Sequence, residues 1–308
     1  MEKGATVAVF GSGGLAGSAI TRALRCSFKG LKILTPRSKE LDLREQSDVR
    51  NWFRRNKVDY VFLAAALVGG IMANKTRKAE FLHDNLMMQC NVIDSAYYSG
   101  VKKLLFLGTS CIYPAGRHHP LVEHELLTGL LEPTNDAYAI AKIAGIKQCD
   151  FYREQYEFDA ISIMPPNLYG PGDHFEGESG HVLAMLMNRF HNAKVNGDPT
   201  VTCWGDGSAM REFLYVDDLA EACLYFMDSY SEAGHINTGT GRDITIKQLA
   251  ETIADVVGYK GEIGWDTTKP NGNPRKLLDS SRANLLGWEP KVKFEDGVKL
   301  TYDWYLSR

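Results

Sequence analysis

The sequence lacks the features that would place this 308-residue chain in a membrane or on a polyanion. No apolar run is long enough to span a bilayer, and neither end resembles a signal peptide. The formal net charge of -3 provides no basic excess, and there is no repeat, low-complexity tract or flexible linker. We therefore expect a soluble, cytoplasmic protein that binds neither membranes nor nucleic acid.

Metal and disulfide patterns are also missing. The six cysteines include no CxxC pair, which argues against a zinc site or a disulfide framework and indicates a reducing compartment. His118, His119 and His174 have no metal-ligand spacing either, so we expect no metal. All cysteines except Cys111 are predicted to be ordinary buried thiols, namely Cys26, Cys90, Cys149, Cys203 and Cys223.

The first apolar run leads into a glycine-rich turn and a helix. Residues 6–10 predict a strand and residues 18–24 a helix. A turn between them can bring its backbone close to a pyrophosphate, with the helix N-terminus facing the negative charge. Glycine-rich turns are also common without a ligand, but the position after the first strand favours a dinucleotide. The predicted cofactor residues here are Gly11, Ser12, Gly13, Gly14, Leu15, Ala16 and Gly17.

Strands and helices then alternate, which predicts an α/β fold with a Rossmann-type, doubly wound parallel sheet. The predicted strands are 31–34, 60–63, 103–107 and 160–164, and the predicted helices are 47–55, 79–99 and 137–156. Beyond these lie predicted helices at 181–194, 216–227, 246–257 and 294–304, and a strand near 201–204. We expect residues 1–172 to form the dinucleotide-binding domain. Residues 173–308 would form mainly a smaller α/β substrate lobe, with some chain returning to the first domain.

A tyrosine and a lysine four residues apart predict a hydride-transfer site. Tyr138 and Lys142 share a helix face, so the ammonium would stabilise the phenolate and lower the pKa of the phenol. The phenol could then protonate a carbonyl oxygen that a hydroxyl of Thr109 or Ser110 also holds. Cys111 could exchange a carbon-bound proton, which ketone reduction alone does not need. The alternative is that Cys111 is a small buried thiol at a strand end.

The residues after the second strand bear on which cofactor is bound. NAD-binding folds place an acidic residue there on the ribose diol, whereas an arginine accepts the extra phosphate of NADP. This chain has Arg37 and Lys39 there, and Glu40 and Asp42 come only afterwards. We predict NADP(H), with Arg37 holding the phosphate. The alternative is that both cations are solvated loop charges.

Together these segments resemble the extended short-chain dehydrogenase/reductase superfamily and, within it, the GDP-4-keto-6-deoxymannose epimerase-reductases. Tyr138 and Lys142 mark only the superfamily, whereas the surroundings of Cys111 and His181 mark the epimerase-reductases. The resemblance runs essentially end to end and rests on residues 63–71, 110–114, 132–135, 138–145, 166–171, 180–182, 210–213 and 274–279.

The resemblance implies NADPH-dependent conversion of GDP-4-keto-6-deoxy-D-mannose to GDP-L-fucose by a homodimer. Cys111 and His181 would exchange protons at sugar carbons 3 and 5. Tyr138 would donate a proton during reduction at carbon 4, Lys142 would bind the nicotinamide ribose, and Thr109 would hold the reacting oxygen. Two alternatives stay open. The chain could only reduce or only epimerise a related GDP-linked 4-keto sugar, or it could bind NADP without catalysis.

The same resemblance implies further binding residues. For the cofactor they are Leu63, Ala64, Ala65, Leu107, Gly108, Thr109, Ser110, Tyr138, Lys142, Pro165, Pro166, Asn167, Leu168 and His181. For the sugar nucleotide they are Asn167, Arg189, Trp204, Arg211, Asn271 and Lys276. Each of the latter has a structural alternative, such as a surface charge, core packing or, for Arg211, an ion pair with Glu212 or Asp217.

The chain departs from the pattern of these relatives at several positions. Thr109 replaces a serine, which keeps the hydroxyl but restricts its rotamer. Ser12 replaces an arginine that supports NADP binding, so selectivity for the phosphate would depend more on Arg37. Asn271 replaces an acidic residue near the base pocket, and an amide cannot accept two donors from guanine as a carboxylate can. Pro166 and Tyr215 replace a threonine and a histidine.

Overall fold

The computed structural model describes residues 1–177, 180–269 and 271–308. The strands are β1 (Thr6–Phe10), β2 (Lys32–Leu34), β3 (Tyr60–Leu63), β4 (Lys103–Leu107), β5 (Ala160–Met164), β6 (Asn167–Tyr169), β7 (Thr200–Trp204), β8 (Met210–Tyr215), β9 (His235–Asn237), β10 (Asp243–Thr245), β11 (Glu262–Asp266) and β12 (Arg275–Lys276). The helices are α1 (Leu15–Ser27), α2 (Gln46–Arg55), α3 (Ile71–Thr76), α4 (Lys78–Tyr98), α5 (Asp136–Tyr156), α6 (Val182–Asn196), α7 (Val216–Ser229), α8 (Ile246–Val257), α9 (Ser281–Leu285) and α10 (Phe294–Ser307).

Six parallel strands form the main sheet in the order β2-β1-β3-β4-β5-β9. The chain leaves β1 on one side to form β2 and returns on the other side to form β3. Its direction across the sheet therefore reverses at β1, and the crevice beyond the carboxyl ends of β1 and β3 is where such folds bind ligands. This confirms the predicted doubly wound parallel sheet.

The strands of the main sheet are apolar because helices cover both faces. All residues of β4 and β5 are buried. Successive residues of β4 point to opposite faces, so Leu104 and Phe106 join one hydrophobic cluster and Leu105 and Leu107 the other. Helices α2, α4 and α5 pack on the first face, whereas α1 and α7 pack on the second.

A third hydrophobic cluster lies in the smaller lobe, between α6, α8 and α10 and the strands β7 and β8. Here β8 pairs with β6, β10 and β12, and β7 pairs with β11. The main sheet and the smaller lobe are not formed by two separate halves of the sequence. Both α7 and β9 follow residue 172 yet lie with the main sheet, while β6 precedes it and pairs with β8.

Several details differ from the sequence-based expectations. The sequence pattern does not predict α3, because this six-residue helix leaves its apolar residues Ile71 and Met72 exposed and shows no buried stripe. Cys26 and Cys90 are exposed, so the prediction that both are buried is wrong. No described helix combines the length and apolarity that a membrane crossing requires.

Candidate active site

Four chain segments meet beyond the carboxyl ends of the main strands. The amide of Ala64, after β3, donates to the carbonyl of Phe10 at the end of β1 over 3.0 Å. The amide of Ser110, after β4, donates to the carbonyl of Pro165, after β5, over 3.1 Å. The structure therefore gathers the predicted cofactor segments at one edge of the sheet.

The turn after β1 is shaped for close backbone approach. Gly11 has a φ of +86°, and a Cβ there would lie 2.6 Å from the amide nitrogen of Ala65. A Cβ at Gly17 would lie 2.2 Å from the carbonyl oxygen of Gly11, so a side chain at either position would displace the turn. Helix α1 starts at Leu15 with no side-chain cap and no acidic residue in its first turn. Its first amides can therefore donate to an anion.

Arg37 lies beside this turn. A methyl group at Gly13 would come within 2.9 Å of the Nη1 of Arg37, which places the guanidinium over the glycine-rich backbone. The backbone amide of Arg37 donates to the carboxylate of Glu40 over 2.9 Å. The side chain of Glu40 thus orders the start of the loop while the guanidinium remains exposed. A second anionic group on a ligand in the turn could pair with it.

Tyr138 and Lys142 lie one turn apart on α5, as predicted, but their ionisation differs from the expectation. The Nζ of Lys142 donates to the carbonyl of Leu107 over 2.8 Å and lies 5.9 Å from the centroid of the Tyr138 ring. Burial lowers the pKa of Lys142 to about 7. Burial, and then the neighbouring Cys111, raise the pKa of Tyr138. Burial therefore governs the pKa of Tyr138 in this structure, and the predicted decrease of that pKa is wrong here.

The sulfur of Cys111 has two polar neighbours from distant parts of the chain. Cys111 lies in a 3₁₀ turn, Ser110–Ile112, whose cap Thr109 accepts a hydrogen bond from the Cys111 amide over 3.3 Å. The Nδ2 of Asn135 lies 3.4 Å from the sulfur and the Nζ of Lys276 lies 3.3 Å from it. An amide donor and an ammonium both stabilise a thiolate. Asn135 is a site residue that sequence reasoning missed, although it ends one of the segments that carry the resemblance.

His181 is the residue that precedes α6. Its Nδ1 lies 2.9 Å from Oδ1 of Asp173, whose side chain is buried. Burial by itself would lower the pKa of His181, but the hydrogen bond and charge of Asp173 outweigh it, and the pKa is raised. Asp173 was also missed, because a carboxylate eight residues before a histidine in a loop gives no periodic signal.

The predicted substrate residues fall into separate groups. Arg211 and Lys276 are partners in the pairing of β8 with β12, and both interact with Cys111. Asn167 donates from its Nδ2 to the carbonyl of Glu212 over 2.9 Å. Glu212 itself bonds to backbone amides and Asp217 pairs with Arg22, so neither matches the ion pair considered for Arg211.

Of the remaining substrate residues, Arg189 lies on α6, Trp204 ends β7 and Asn271 lies in the loop between β11 and β12. The Nη1 of Arg189 donates to the carbonyl of Thr202 over 2.7 Å, at the edge of a cavity of about 310 Å³. Trp204 is 52% exposed, with the Nζ of Lys269 5.7 Å from its ring centroid. The Oδ1 of Asn271 accepts from the amide of Asp206 over 2.9 Å. Its oxygen therefore already orders a turn beside Trp204.

Glu212 is a buried carboxylate that the sequence did not single out. Its side chain accepts hydrogen bonds from the amides of Thr240, Gly241 and Leu278, and from the hydroxyl of Thr240. It is 0% exposed, and burial raises its pKa to about 7 despite these donors. Glu212 thereby ties β8 to the loop after β9 and to the segment that follows Lys276.

Within the described ranges, no three histidine, cysteine, aspartate or glutamate side chains are placed to hold a metal ion. The side chains that meet around Cys111 are a thiol, a phenol and the cations beside them.

Known proteins are similar to this chain in both sequence and structure. The profile of the NAD dependent epimerase/dehydratase family matches residues 7–239. GDP-L-fucose synthase 1 of Arabidopsis thaliana is 56% identical over 307 residues, which are 99% of this chain and 94% of the relative. The structure of a GDP-6-OMe-4-keto-L-xylo-heptose reductase from C. jejuni has a TM-score of 0.93 at 34% identity, covering 100% of this chain and 99% of the other.

A GDP-L-fucose synthetase from Naegleria fowleri, solved with NADP bound, has a TM-score of 0.92 at 30% identity and covers 100% of this chain and 94% of its own. The family match and the identity over almost the full length agree with the glycine-rich turn, the Tyr138 and Lys142 pair and the thiol beside them. The chain therefore belongs to the NAD-dependent epimerase/dehydratase family and, within it, to the GDP-L-fucose synthases.

Proposed function

We propose that this protein converts GDP-4-keto-6-deoxy-D-mannose to GDP-L-fucose, first by epimerisation at carbons 3 and 5 and then by NADPH-dependent reduction at carbon 4. The observation that carries this proposal is the contact of Cys111 with Asn135 and Lys276, at the site that also holds Tyr138. A ketone reductase requires the phenol but has no use for a thiol with these polar partners.

Epimerisation uses the acidity that the ketone at carbon 4 gives to its neighbours. The thiolate of Cys111 removes the proton from one of these carbons, so that an S–H bond forms as the C–H bond breaks and the electron pair moves into an enolate. The hydroxyls of Tyr138 and Thr109 donate to the enolate oxygen. His181 gives a proton to the opposite face of the same carbon, and the configuration is inverted. The same two residues, after exchanging protons with solvent, act on the second carbon.

Reduction then depends on the phenol. The hydride for carbon 4 would come from NADPH held by the turn between β1 and α1. Tyr138 donates its proton to the oxygen, and its raised pKa keeps it in the protonated form that a donor needs at neutral pH. Lys142 lies within reach of the phenol face and of the Leu107 carbonyl, so it can hold both the ring and a ribose hydroxyl in position.

The residues of the turn fit a nicotinamide dinucleotide. Gly11 and Gly17 leave no room for a Cβ, and the first amides of α1 meet no acidic side chain. Arg37 lies over the turn and would pair with the additional phosphate of NADP(H). The hydroxyl of Ser12, buried and without a partner among the described residues, would donate to the pyrophosphate.

We further propose the sugar-nucleotide contacts and the assembly. Arg211 and Lys276 would hold the diphosphate next to Cys111, and Arg189 and Trp204 would bind the base of the nucleotide.

Residues 1–172 would form the cofactor domain and residues 173–308 mainly the substrate lobe, with α7 and β9 returning to the cofactor domain. A homodimer would form through α4 and α5, which expose Tyr98 and Phe151. The protein would work in the cytoplasm.

Two incubations test the proposal. The protein is given GDP-4-keto-6-deoxy-D-mannose and NADPH, and the product is identified by NMR. GDP-L-fucose supports the proposal, whereas GDP-rhamnose or GDP-6-deoxytalose would show reduction without inversion. A second incubation in deuterated water without NADPH measures exchange at carbons 3 and 5. Absence of exchange would leave only a 4-reductase of related GDP-linked sugars, comparable to the 4-keto-heptose reductase of C. jejuni.

A further inference from the structure

We propose that Asp173 is a positioning residue that fixes His181 as the proton donor of the epimerisation. It would do so by holding the Nδ1 proton of the ring and by stabilising the imidazolium. The inference rests on the role proposed above for His181 and adds to it a partner that determines which ring nitrogen reacts. It concerns two side chains on the segment between β6 and α6.

The contact itself determines the tautomer. Oδ1 of Asp173 lies 2.9 Å from Nδ1 of His181, and the aspartate side chain is 1% exposed whereas the ring is 38% exposed. An ionised carboxylate can only accept hydrogen bonds, so Nδ1 must carry the proton that joins the two groups. Nε2 is then the atom that gains and loses a proton during catalysis.

The aspartate is held in place from both sides of its segment. Gly172, which precedes it, has a φ of +95° and contacts α1, where a Cβ would lie 3.0 Å from the Oγ of Ser18. Phe175, which follows, is buried, and its ring centroid lies 4.9 Å from that of Tyr305 on α10. The amide of His174 donates to the same Oδ1 over 2.8 Å. Packing and the His174 amide therefore hold Oδ1 in place, whereas Oδ2 is buried without a hydrogen-bond partner among the described residues.

Gly180 permits the histidine to reach the aspartate. A Cβ at Gly180 would lie 2.6 Å from the carbonyl oxygen of His174, a backbone atom that cannot rotate away. The backbone at Gly180 therefore approaches the backbone at His174 more closely than any side chain at residue 180 would allow. This close approach sets Asp173 and His181 opposite each other.

Charge at the site shows why the ring needs a carboxylate. Burial disfavours an imidazolium, and so does the N-terminus of α6, whose first turn begins after His181 and has no acidic residue. Asp173 is the charged group that acts on the ring against both effects. Other ionisable groups of the segment are His174, beside Asp173, and Glu176, which lies 3.5 Å from Arg308 of α10. Without the carboxylate, a smaller fraction of the rings would carry the second proton at neutral pH and be able to donate it.

A purely structural role for Asp173 must be separated from this one, because its Oδ1 also accepts from the His174 amide. The test uses the full-length protein labelled with ¹⁵N-histidine, and Asp173→Asn as the variant. In the wild type we expect the His181 ring to carry its proton on Nδ1 and to titrate above about 6.5, the ordinary value for histidine. In Asp173→Asn we expect the midpoint to fall by about one pH unit or more and the Nε2–H tautomer to appear.

The matched control is Asp84→Asn. It removes a carboxylate from His83 at 3.1 Å, but the His83 ring is 70% exposed and lies on α4, outside the segment that carries Asp173 and His181. The His181 signals and the solvent exchange at carbons 3 and 5 should remain as in the wild type. In Asp173→Asn the exchange should fall roughly 10–100-fold, the range expected for weakening a general acid. KM should stay near its wild-type value while kcat decreases.

A wild-type His181 that carries its proton on Nε2, or titrates at or below about 6.5, would overturn the inference even if Asp173→Asn failed to fold. Wild-type tautomer and exchange in a folded Asp173→Asn would overturn it as well. Because the NMR titration uses no substrate, the expected tautomer and midpoint in a protein that makes no GDP-L-fucose would uphold the Asp173–His181 pairing. In that case it is the proposed function that fails.

Discussion

Lys276 and Cys111 are 165 residues apart in the sequence, yet the Nζ of Lys276 lies 3.3 Å from the Cys111 sulfur. The pairing of β12 with β8 brings the lysine there, and the hydrogen bond from the Leu278 amide to Glu212 fixes the strand end. A lysine from the carboxyl-terminal part of the chain thus contacts the thiol that the first half of the chain provides. The reactivity of the thiol therefore depends on strand pairing in the smaller lobe.

Replacing Cys111 by serine should stop epimerisation while leaving reduction. A serine hydroxyl is a far weaker acid than a thiol and cannot take the proton from carbon at neutral pH, so deuterium exchange at carbons 3 and 5 should fall at least about 100-fold. Exchange is measured by NMR in deuterated water, and NADPH oxidation by its absorbance. The exposed Cys90→Ser is the control. Undiminished exchange in Cys111→Ser would remove the thiol from the mechanism.

Replacing Lys276 by methionine should make Cys111 less reactive. The ammonium lies within hydrogen-bond distance of the sulfur and stabilises its thiolate, so alkylation by iodoacetamide at neutral pH should slow about tenfold. Mass spectrometry of the Cys111 peptide measures the rate. Lys269→Met is the control, because that ammonium lies over Trp204 instead. Equal alkylation rates in the two variants would show that the contact does not affect the thiol.

Replacing Arg37 by glutamine should weaken NADPH more than NADH. The guanidinium lies over the glycine-rich turn, and loss of its charged hydrogen bonds to a phosphate costs about 1.5–3 kcal/mol, or roughly 10–100-fold in affinity. NADH has no phosphate there, so its KM should change little. Lys39→Gln is the control on the same loop. An equal loss for both cofactors would mean that Arg37 does not distinguish them.

Replacing Gly17 by alanine should destabilise the protein even without a cofactor. The added methyl group would lie 2.2 Å from the carbonyl oxygen of Gly11, which belongs to the backbone of the turn. Relieving this overlap separates α1 from β1, and we expect a loss of about 1–3 kcal/mol in unfolding free energy. At Gly14 the methyl group would meet the same oxygen at 3.6 Å, so Gly14→Ala should unfold near the wild-type temperature. Thermal unfolding of the free proteins compares them.

Replacing Glu212 by glutamine should flatten the dependence of stability on pH. The folded-state pKa of Glu212 is raised to about 7, above the ordinary value of 4.5, so the folded protein binds this proton more tightly than the unfolded chain. The protonated Glu212 side chain therefore makes its full contribution to the unfolding free energy below about pH 4.5, and this contribution is lost as the pH rises through about 7. The loss amounts to about 3 kcal/mol.

Urea unfolding at pH 5 and pH 7.5 measures this effect. The wild type should lose more unfolding free energy between the two pH values than Glu212→Gln does. Glu212→Gln should also be less stable than the wild type at pH 5, because an amide cannot accept from all four donors. Glu232→Gln, at an exposed glutamate, should keep the wild-type slope. Identical slopes in all three proteins would contradict the assignment.

Much of the fold could be predicted because the pattern is local. The bounds of β3, β4 and β5 match the predicted 60–63, 103–107 and 160–164, since strands buried on both faces are continuous apolar runs. The short strands of the smaller lobe gave no such signal. The two- and three-residue pieces such as β12 and β10 are too short for a period, and they exist because β8 pairs with them.

The candidate site likewise contains some residues that the sequence predicts and others that only the structure shows. The turn from Gly11 to Gly17 and the spacing of Tyr138 and Lys142 are contiguous motifs, and both could be found by inspection. Asn135 and Asp173 could not, because a lone amide or carboxylate in a loop has no period and its partner is set by packing. The pKa of Tyr138 also required the structure, since only the surrounding atoms determine how far burial raises it.

The sequence by itself determined the alternation of strands and helices, the glycine-rich turn and the chemical groups available for reaction, since each depends on neighbours along the chain. Only the tertiary structure decided which of these groups meet: Lys276 and Asn135 at the sulfur, and Asp173 at the imidazole. The physical reason is that burial, charge and hydrogen bonding act over a few ångströms in space. Residues brought within that range by strand pairing can lie anywhere in the chain.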